Sequence, residues 1–178
     1  DYATRFQSDF MDVFLSDRCD FFIGTNSGMT SVPMMFRTPL ALVNIIPYSE
    51  LVYAGTKDVY IPKKYYSAKN GRFLSFREVL SEPILLHYSG KETGDGQAYC
   101  ADMGIEIVEN SPEEIASLVM EVEQRLRGTF ETTSEDEEMQ SRYFSILRSF
   151  ADILLPVVNL ERRRIGTHFL RAHPELLE

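Results

Sequence analysis

Two short apolar runs separated by one helix-length segment constrain the fold more than any other feature. DFFIG at residues 20–24 and LALVNII at residues 40–46 are each too short to form a helix of typical length. Between them, Ser27 is suited to begin a helix over residues 28–37, and the Thr38-Pro39 pair is suited to end it. Apolar strands joined by a helix are typical of a parallel sheet that is buried on both faces. The sequence therefore predicts an α/β domain.

A later segment, GIEIVENSPEEIASLVMEVEQRLRG, repeats the order of strand and helix. The strand is expected at residues 105–109. Ser111, Pro112 and Glu114 have the spacing of a capping box with proline at the first helical position, and Gly128 is suited to end the helix. This segment is predicted to be the third strand-helix unit of the parallel sheet.

Apolar periodicity and capping residues predict smaller elements elsewhere in the chain. They are a helix over about residues 7–18 with Phe10, Met11, Phe14 and Leu15 at helical spacing, a strand VYIP at 59–62, a short helix SFREVL capped by Ser75 and Glu78, a helix opened by Ser134 and Glu137, and a last helix over about residues 161–172 that includes Ile165. KETGDGQ at 91–97 is expected to be a solvated loop.

Composition excludes several classes of function. A chain of 178 residues that is 44% hydrophobic can build a substantial core, and a net charge of −9 argues against a nucleic-acid-binding surface. Cys19 and Cys100 form neither a CxxC motif nor a metal-ligand pattern, so reduced structural thiols are expected. The sequence contains no apolar run that could span a bilayer and no spacing that singles out a catalytic histidine.

The turn GTNSG after the first apolar run is the candidate ligand site. Thr25, Asn26 and Ser27 provide side-chain donors, and the N–H groups of Gly28 and Met29 open the following helix. In an open parallel sheet, ligands lie beyond the carboxyl ends of the strands, where this turn is expected. A diphosphate could accept several charge-assisted hydrogen bonds there. The same residues also suit an ordinary strand-to-helix turn, so both interpretations stay open at this point.

Residues further along the chain provide candidates for the rest of such a site. All five lysines lie between residues 57 and 91, and Lys63 and Lys64 in IPKKYY are the preferred partners of a phosphate. Asn44 and Glu50 follow the second apolar run and are candidates for the nucleoside side of a ligand. Glu50 is also the weak candidate for a catalytic carboxylate, although a surface glutamate is the more common outcome.

Segments spread in order over nearly the whole chain resemble one protein family. They are DFMDVFLSDRCDFFIGTNSGMTSVPMMFRTPLALVN, DVYIPKKYY, RFLSFREVL, GIEIVENSPEEI, GTFETTSEDEEMQ and RIGTHFLRAHPELL. Together they resemble the C-terminal half of a family of bacterial glycosyltransferases that is associated with surface-polysaccharide loci.

The resemblance implies a GT-B arrangement, in which two Rossmann-like domains face each other. Residues 1–130 would form a three-layer, Rossmann-like donor-binding domain with a parallel sheet, and residues 131–178 would add C-terminal helices. An N-terminal acceptor domain would precede them. Thr25, Asn26, Ser27 and Gly28 would meet the donor diphosphate. No metal or other cofactor is expected, because helix N-termini and cations neutralise the leaving diphosphate, and the sequence has no DxD motif.

The expected partners follow from the same resemblance. They are a nucleotide-sugar donor, a glycan or lipid-linked acceptor and, in a homo-oligomer, further copies of the chain. The expected location is the cytoplasm or the inner face of the inner membrane. Two alternatives stay open: a GT-B-type nucleotide-sugar epimerase, and a non-catalytic binding or assembly domain whose helices over residues 112–150 dock a partner.

Overall fold

The computed structural model describes residues 2–46, 48, 57–87, 95–151 and 164–178, which form two sheets and their covering helices. The strands are β1 (Phe22–Gly24), β2 (Leu40–Ile45), β3 (Val59–Pro62), β4 (Lys64–Ser67), β5 (Arg72–Phe73), β6 (Ile105–Val108) and β7 (Arg164–Ile165). The first sheet has the order β1-β2-β3-β7, and all its pairs are parallel. The second sheet has the order β5-β4-β6 and is antiparallel.

The α-helices of the described residues precede, connect and follow these strands. They are α1 (Tyr2–Arg5), α2 (Asp9–Arg18), α3 (Ser31–Phe36), α4 (Phe76–Ser81), α5 (Pro83–His87), α6 (Asp95–Met103), α7 (Pro112–Arg127), α8 (Ser134–Ser149) and α9 (Thr167–Ala172). The predicted fold class is confirmed: the chain is a mixed α/β structure with a four-stranded parallel sheet, consistent with a Rossmann-like domain.

β1 and β2 form the predicted parallel pair, from Phe22 opposite Leu40 to Gly24 opposite Leu42. β2 is buried along nearly its whole length, as expected for an apolar strand that is covered on both faces. Gly24 is needed at the end of β1, because a Cβ there would lie 2.7 Å from the ring of Phe22 and 2.9 Å from Thr30 Oγ1. Packing therefore explains both the apolar residues of this strand pair and the glycine that ends β1.

The third predicted unit of the parallel sheet was wrong in its pairing. β6 forms close to the predicted place, but it pairs antiparallel with β4, from Lys64 opposite Val108 to Ser67 opposite Ile105. The fourth parallel strand is instead β7, which pairs with β3. β7 has only two residues, so it leaves no periodic signal, and Ile165 was wrongly assigned to a helix. Strand pairing was decided by tertiary contacts that the local pattern does not contain.

Two predicted helix caps are confirmed and one is shifted. Ser75 with Glu78 and Ser111 with Glu114 both form complete capping boxes, and Gly128 ends α7 with a φ of 71°. The cap of α8 is Thr133 with Asp136, one residue before the predicted pair.

The shifted cap of α8 has a tertiary reason. Both T-x-x-D and S-x-x-E fit a capping box at this point of the sequence. The carboxylate of Asp136 is almost fully buried and also accepts two hydrogen bonds from Arg171 of α9, at 2.7 and 2.6 Å.

The loop predicted over residues 91–97 is also wrong within the described residues, because residues 95–97 begin α6.

Candidate functional site

The loop that follows β1 lies at the carboxyl edge of the parallel sheet, and residues 25–29 are exposed. Its backbone folds around one carbonyl group. The N–H of Ser27 donates to the carbonyl oxygen of Thr25 at 2.8 Å, and the buried Thr30 hydroxyl donates to the same oxygen. The N–H of Thr30 donates to the carbonyl oxygen of Ser27 at 3.0 Å. The loop is therefore held in shape by its own residues.

Asn26 connects this loop to the neighbouring strand. Its side-chain amide donates a hydrogen bond to the carbonyl oxygen of Ile46, which directly follows β2. Because the bond joins the ends of two adjacent parallel strands, it fixes where the loop sits on the carboxyl edge. Asn26, predicted as a ligand-binding residue, therefore has a positioning role in this structure.

Ser27 does not cap a helix in the predicted way. It is extended, with φ −122° and ψ 163°, and its side chain makes no cap hydrogen bond. The predicted helix over 28–37 is divided into a 3₁₀ turn, Gly28–Thr30, and α3. Within the described part of the chain, no hydrogen bond uses Ser27 Oγ or the N–H groups of Gly28 and Met29. These three donors therefore remain available at the surface.

Gly28 differs from Gly24 in the reason for its presence. A Cβ at Gly28 would have no atom within 4 Å, and its φ is outside the left-handed region. Neither packing nor backbone conformation requires a glycine there. What its missing side chain does provide is open access to the N–H groups of the 3₁₀ turn.

Asn44 does not lie open at the surface but forms a hydrogen-bonded pair with Asn110. Its φ of 53° is left-handed, a conformation that asparagine tolerates better than most residues. Its N–H donates to Asn110 Oδ1 at 2.6 Å, and Asn44 Oδ1 accepts from the N–H of Asn110 at 2.7 Å. Asn110 Nδ2 also donates to the carbonyl oxygen of Pro62 at 2.8 Å. This buried asparagine therefore joins the ends of β2 and β3 to the start of α7.

Asn110 was missed by the sequence reasoning. It lies two residues after β6, whereas Asn44 is the fifth residue of β2, and the two strands belong to different sheets. No local pattern therefore indicated that these two asparagines would contact each other.

Lys63 lies at the carboxyl end of β3, beside the end of β2. Its N–H donates to the carbonyl oxygen of Ile45 at 3.1 Å, and its ammonium is 2.9 Å from Glu109 Oε1. The hydrogen bond from Lys63 is the main reason why the pKa of the Glu109 carboxyl is lowered. The side chain of Glu109 is 71% exposed and that of Lys63 is 18% exposed, so the ion pair faces solvent through its carboxylate.

Lys64 lies on β4, and its side chain contacts other residues of the protein. It is buried, its ammonium pairs with the carboxylate of Glu114, and it lies 3.3 Å from His173 Nε2. His173 Nε2 is in turn 2.5 Å from Glu114 Oε1. The Lys64 ammonium also lies over the rings of Phe73 and Phe169, 5.6 and 5.7 Å from their centroids. The two adjacent lysines are therefore not equivalent, and the structure does not bring the Lys64 ammonium to the surface.

Burial by itself raises the pKa of the Glu114 carboxyl, but hydrogen bonds from His173 and Lys64 outweigh this effect and lower the pKa to about 2. Glu114 also completes the capping box of α7, accepting from the N–H of Ser111 at 2.7 Å. The cluster of Lys64, Glu114 and His173 thus joins β4, α7 and the residue that follows α9. Its polar groups satisfy one another.

Glu50, the weak catalytic candidate, and Lys91 lie outside the described residues. Among the residues that are described, no three histidine, cysteine, aspartate or glutamate side chains are grouped so that they could hold a metal ion. None of the described helices is long and apolar enough to cross a membrane.

A cavity of about 570 Å³ lies at the opposite edge of the sheet, where β1 begins and α7 ends. It is lined by Asp20, Phe21, Glu123, Leu126 and Arg127. Glu123 and Arg127 pair with each other at 2.6 Å. The cavity is therefore distinct from the loop at the carboxyl edge and has no group in common with it.

Comparison with protein-family models, with curated proteins and with solved structures found no significant match.

Proposed function

We propose that the carboxyl edge of the parallel sheet binds the diphosphate of a nucleotide sugar, and that the chain is the donor-binding half of a glycosyltransferase. The observation that carries the proposal is the exposed loop Thr25–Met29 at the end of β1. Ser27 Oγ and the N–H groups of Gly28 and Met29 have no hydrogen-bond partner within the described residues. Donors of this kind are suited to phosphate oxygens.

Each group of the loop then has a distinct task. Ser27 Oγ and the two N–H groups donate to the diphosphate, while Asn26 holds the loop against the end of β2. Lys63, at the end of β3, provides a cation that can turn from the exposed carboxylate of Glu109 to a phosphate. Asn44 shapes the end of β2 through its pair with Asn110 and so supports the nucleoside side indirectly. Lys64 is left out of the site, since its charge is already neutralised by Glu114.

These contacts would favour transfer by stabilising the leaving group. An acceptor hydroxyl attacks the anomeric carbon, the bond between that carbon and the diphosphate oxygen breaks, and the electron pair leaves with the nucleoside diphosphate. The negative charge that develops on the diphosphate is then met by fixed N–H donors and by Lys63. The hydroxyl proton goes to a base, for which Glu50 remains the sequence candidate.

The test is calorimetric titration with the diphosphates of uridine, guanosine, cytidine, adenosine and thymidine. We expect one of them to bind, and we expect the double variant Ser27→Ala, Gly28→Val to weaken that binding at least about tenfold, because one donor is lost and the turn is obstructed. Since a Cβ at Gly28 meets no atom within 4 Å, the variant should keep its fold. Ser141→Ala, on the exposed side of α8, is the matched control.

Two results would contradict the proposal. One is the absence of binding by any of the five diphosphates at millimolar concentration, and the other is equal binding by the double variant and the control. Epimerised or hydrolysed sugar in the absence of an acceptor would instead favour the epimerase alternative over transfer.

A further inference from the structure

One face of the molecule is unusually apolar. Among the described residues, most of the large hydrophobic side chains that are exposed belong to the segment from Phe6 to Phe36. They are Phe6, Phe10, Val13, Phe14, Leu15, Ile23, Met29, Met34, Met35 and Phe36, and we call them the α2–α3 face. The two most exposed members are Met35 at 82% and Phe10 at 72%. α2 and α3, which pack against each other, carry seven of these ten side chains.

The apolar positions of α2 have the helical spacing of a core-facing helix, yet they are not covered. The rings of Phe10 and Phe14 stack on each other, with 5.9 Å between their centroids, at the surface of the molecule. Monomeric proteins seldom expose continuous apolar patches larger than a few hundred Å². A face of this kind indicates a contact surface.

The size of the α2–α3 face suits a stable protein interface. Taking about 200 Å² for a whole phenylalanine or methionine side chain and less for the aliphatic ones, the exposed fractions give roughly 900 Å² of apolar surface. A standard interface buries about 800 Å² on each partner. The summed area is therefore sufficient for a discrete complex.

The composition of the face indicates the kind of partner. Four phenylalanines and three methionines make up most of it. Phenylalanine and methionine are enriched at protein interfaces, and interfaces between identical subunits are the more apolar class. Because it is apolar, such a surface can be buried against a second copy of itself, as an interface with twofold symmetry requires.

The edge of β1 lies in the same part of the molecule. Phe22 donates its N–H to the carbonyl oxygen of Pro39 on the β2 side, so the alternation of the strand turns the N–H and C=O of Ile23 to the other side. β1 is the end strand of its sheet among the described strands, and Ile23 is 47% exposed. This edge would otherwise invite unspecific strand pairing, and Ile23, which lies on it, is part of the α2–α3 face.

We infer that the α2–α3 face binds a second copy of this chain and that the protein forms a twofold-symmetric dimer through it. The inference does not rest on the proposed donor site, with which the α2–α3 face shares Met29. The residues chosen for its test, Phe10 and Met35, lie outside the loop that would contact a diphosphate.

The test is the mass in solution, measured by sedimentation equilibrium at micromolar concentration. We expect the wild-type chain to have twice its monomer mass of 20.5 kDa. The double variant Phe10→Asp, Met35→Asp should sediment as a monomer, because two carboxylates would be desolvated in the interface. Both side chains are largely exposed in the single chain, so the variant should keep the circular dichroism spectrum and melting temperature of a folded protein.

Met120→Asp is the matched control, because Met120 is 53% exposed on α7 and lies outside the face. It should leave the dimer unchanged. A monomeric wild type would overturn the inference and would assign the face to a different partner. A dimer that survives Phe10→Asp, Met35→Asp would overturn it as well, and so would a mixture of aggregates without a discrete dimer.

Discussion

The loop Thr25–Met29 follows a strand of the parallel sheet, and the cluster of Lys64, Glu114 and His173 includes a residue of the antiparallel sheet. Both are polar groupings, but they differ in what their polar groups do. In the cluster, the ammonium, the carboxylate and the imidazole contact one another, and Lys64 is buried. In the loop, Ser27 Oγ and two N–H groups are left without partners within the described residues. A set of charges that is already neutralised stabilises the fold, whereas exposed donors in a fixed arrangement are available to a ligand.

The largest expected effect separates the two adjacent lysines. Lys64→Met should lower the free energy of unfolding by about 3 kcal/mol, because it removes a buried cation from the Glu114 carboxylate. Lys63→Met should change it by less than about 1 kcal/mol, since its partner Glu109 is exposed. Urea denaturation of the two variants measures both values.

Nucleotide binding should give the opposite order for these lysines. Lys63→Met should weaken the binding of the preferred nucleoside diphosphate. Lys64→Met, measured at a temperature below the midpoint of its thermal denaturation, should leave the affinity nearly unchanged.

For the stability measurement, an equal loss of unfolding free energy in both variants would show that the cluster and the ion pair of Lys63 with Glu109 are not different in kind.

Acid should weaken the cluster and leave the loop intact. Because the pKa of Glu114 is about 2 in the folded protein and near 4.3 in an unfolded chain, its contribution to stability is present above about pH 4.5 and is lost as the pH falls toward 2. That contribution is on the order of 3 kcal/mol. Urea denaturation between pH 6 and pH 2 should therefore show a smaller decline in Glu114→Gln than in the wild type.

Glu131→Gln is the control for this pH series, because Glu131 is exposed. It should follow the wild-type curve. The pKa of Glu78 is also lowered to about 2, chiefly by its hydrogen bond with Arg72. Glu78 therefore contributes to the loss of stability in acid, and it should account for part of the loss that Glu114→Gln still shows. A curve for Glu114→Gln that is as steep as the wild type would contradict the assignment.

The smallest expected effect compares the two glycines that flank the loop. Gly24→Ala should cost about 1–2 kcal/mol of stability, because its Cβ would come within 3 Å of Phe22 and Thr30. Gly28→Ala should be within about 0.5 kcal/mol of the wild type, since its Cβ would meet nothing. Thermal denaturation measures the difference. If the two substitutions cost the same, Gly28 has a structural role and its link to a ligand is weakened.

Local patterns predicted much of this molecule because the interactions that specify them lie within a few residues. The capping boxes at Ser75 and Ser111 and the terminating Gly128 are correct for this reason. So is the parallel pair of β1 and β2, in which the connecting helix is short and lies between the two strands. The turn at residues 25–29 was also located correctly at the carboxyl end of β1.

Tertiary structure decided which of the predicted site residues are available. From sequence, Lys63 and Lys64 were equal candidates, but the change from β3 to β4 between them directs one to a surface carboxylate and buries the other against Glu114. Asn44 likewise became the partner of Asn110, a residue 66 positions away. No local pattern carries that information, because the partner is set by how distant segments pack.

The sequence by itself determined an α/β fold, the capped starts of α4 and α7, the glycine that ends α7 and the position of the loop after β1. Tertiary structure alone decided that β6 joins an antiparallel sheet, that β7 completes the parallel one, and that the helical stripe of α2 faces outward. The physical reason is the same in each case. A strand's partner and a helix's covering depend on contacts between remote parts of the chain, whereas hydrogen bonds at helix ends and turns are made between neighbours.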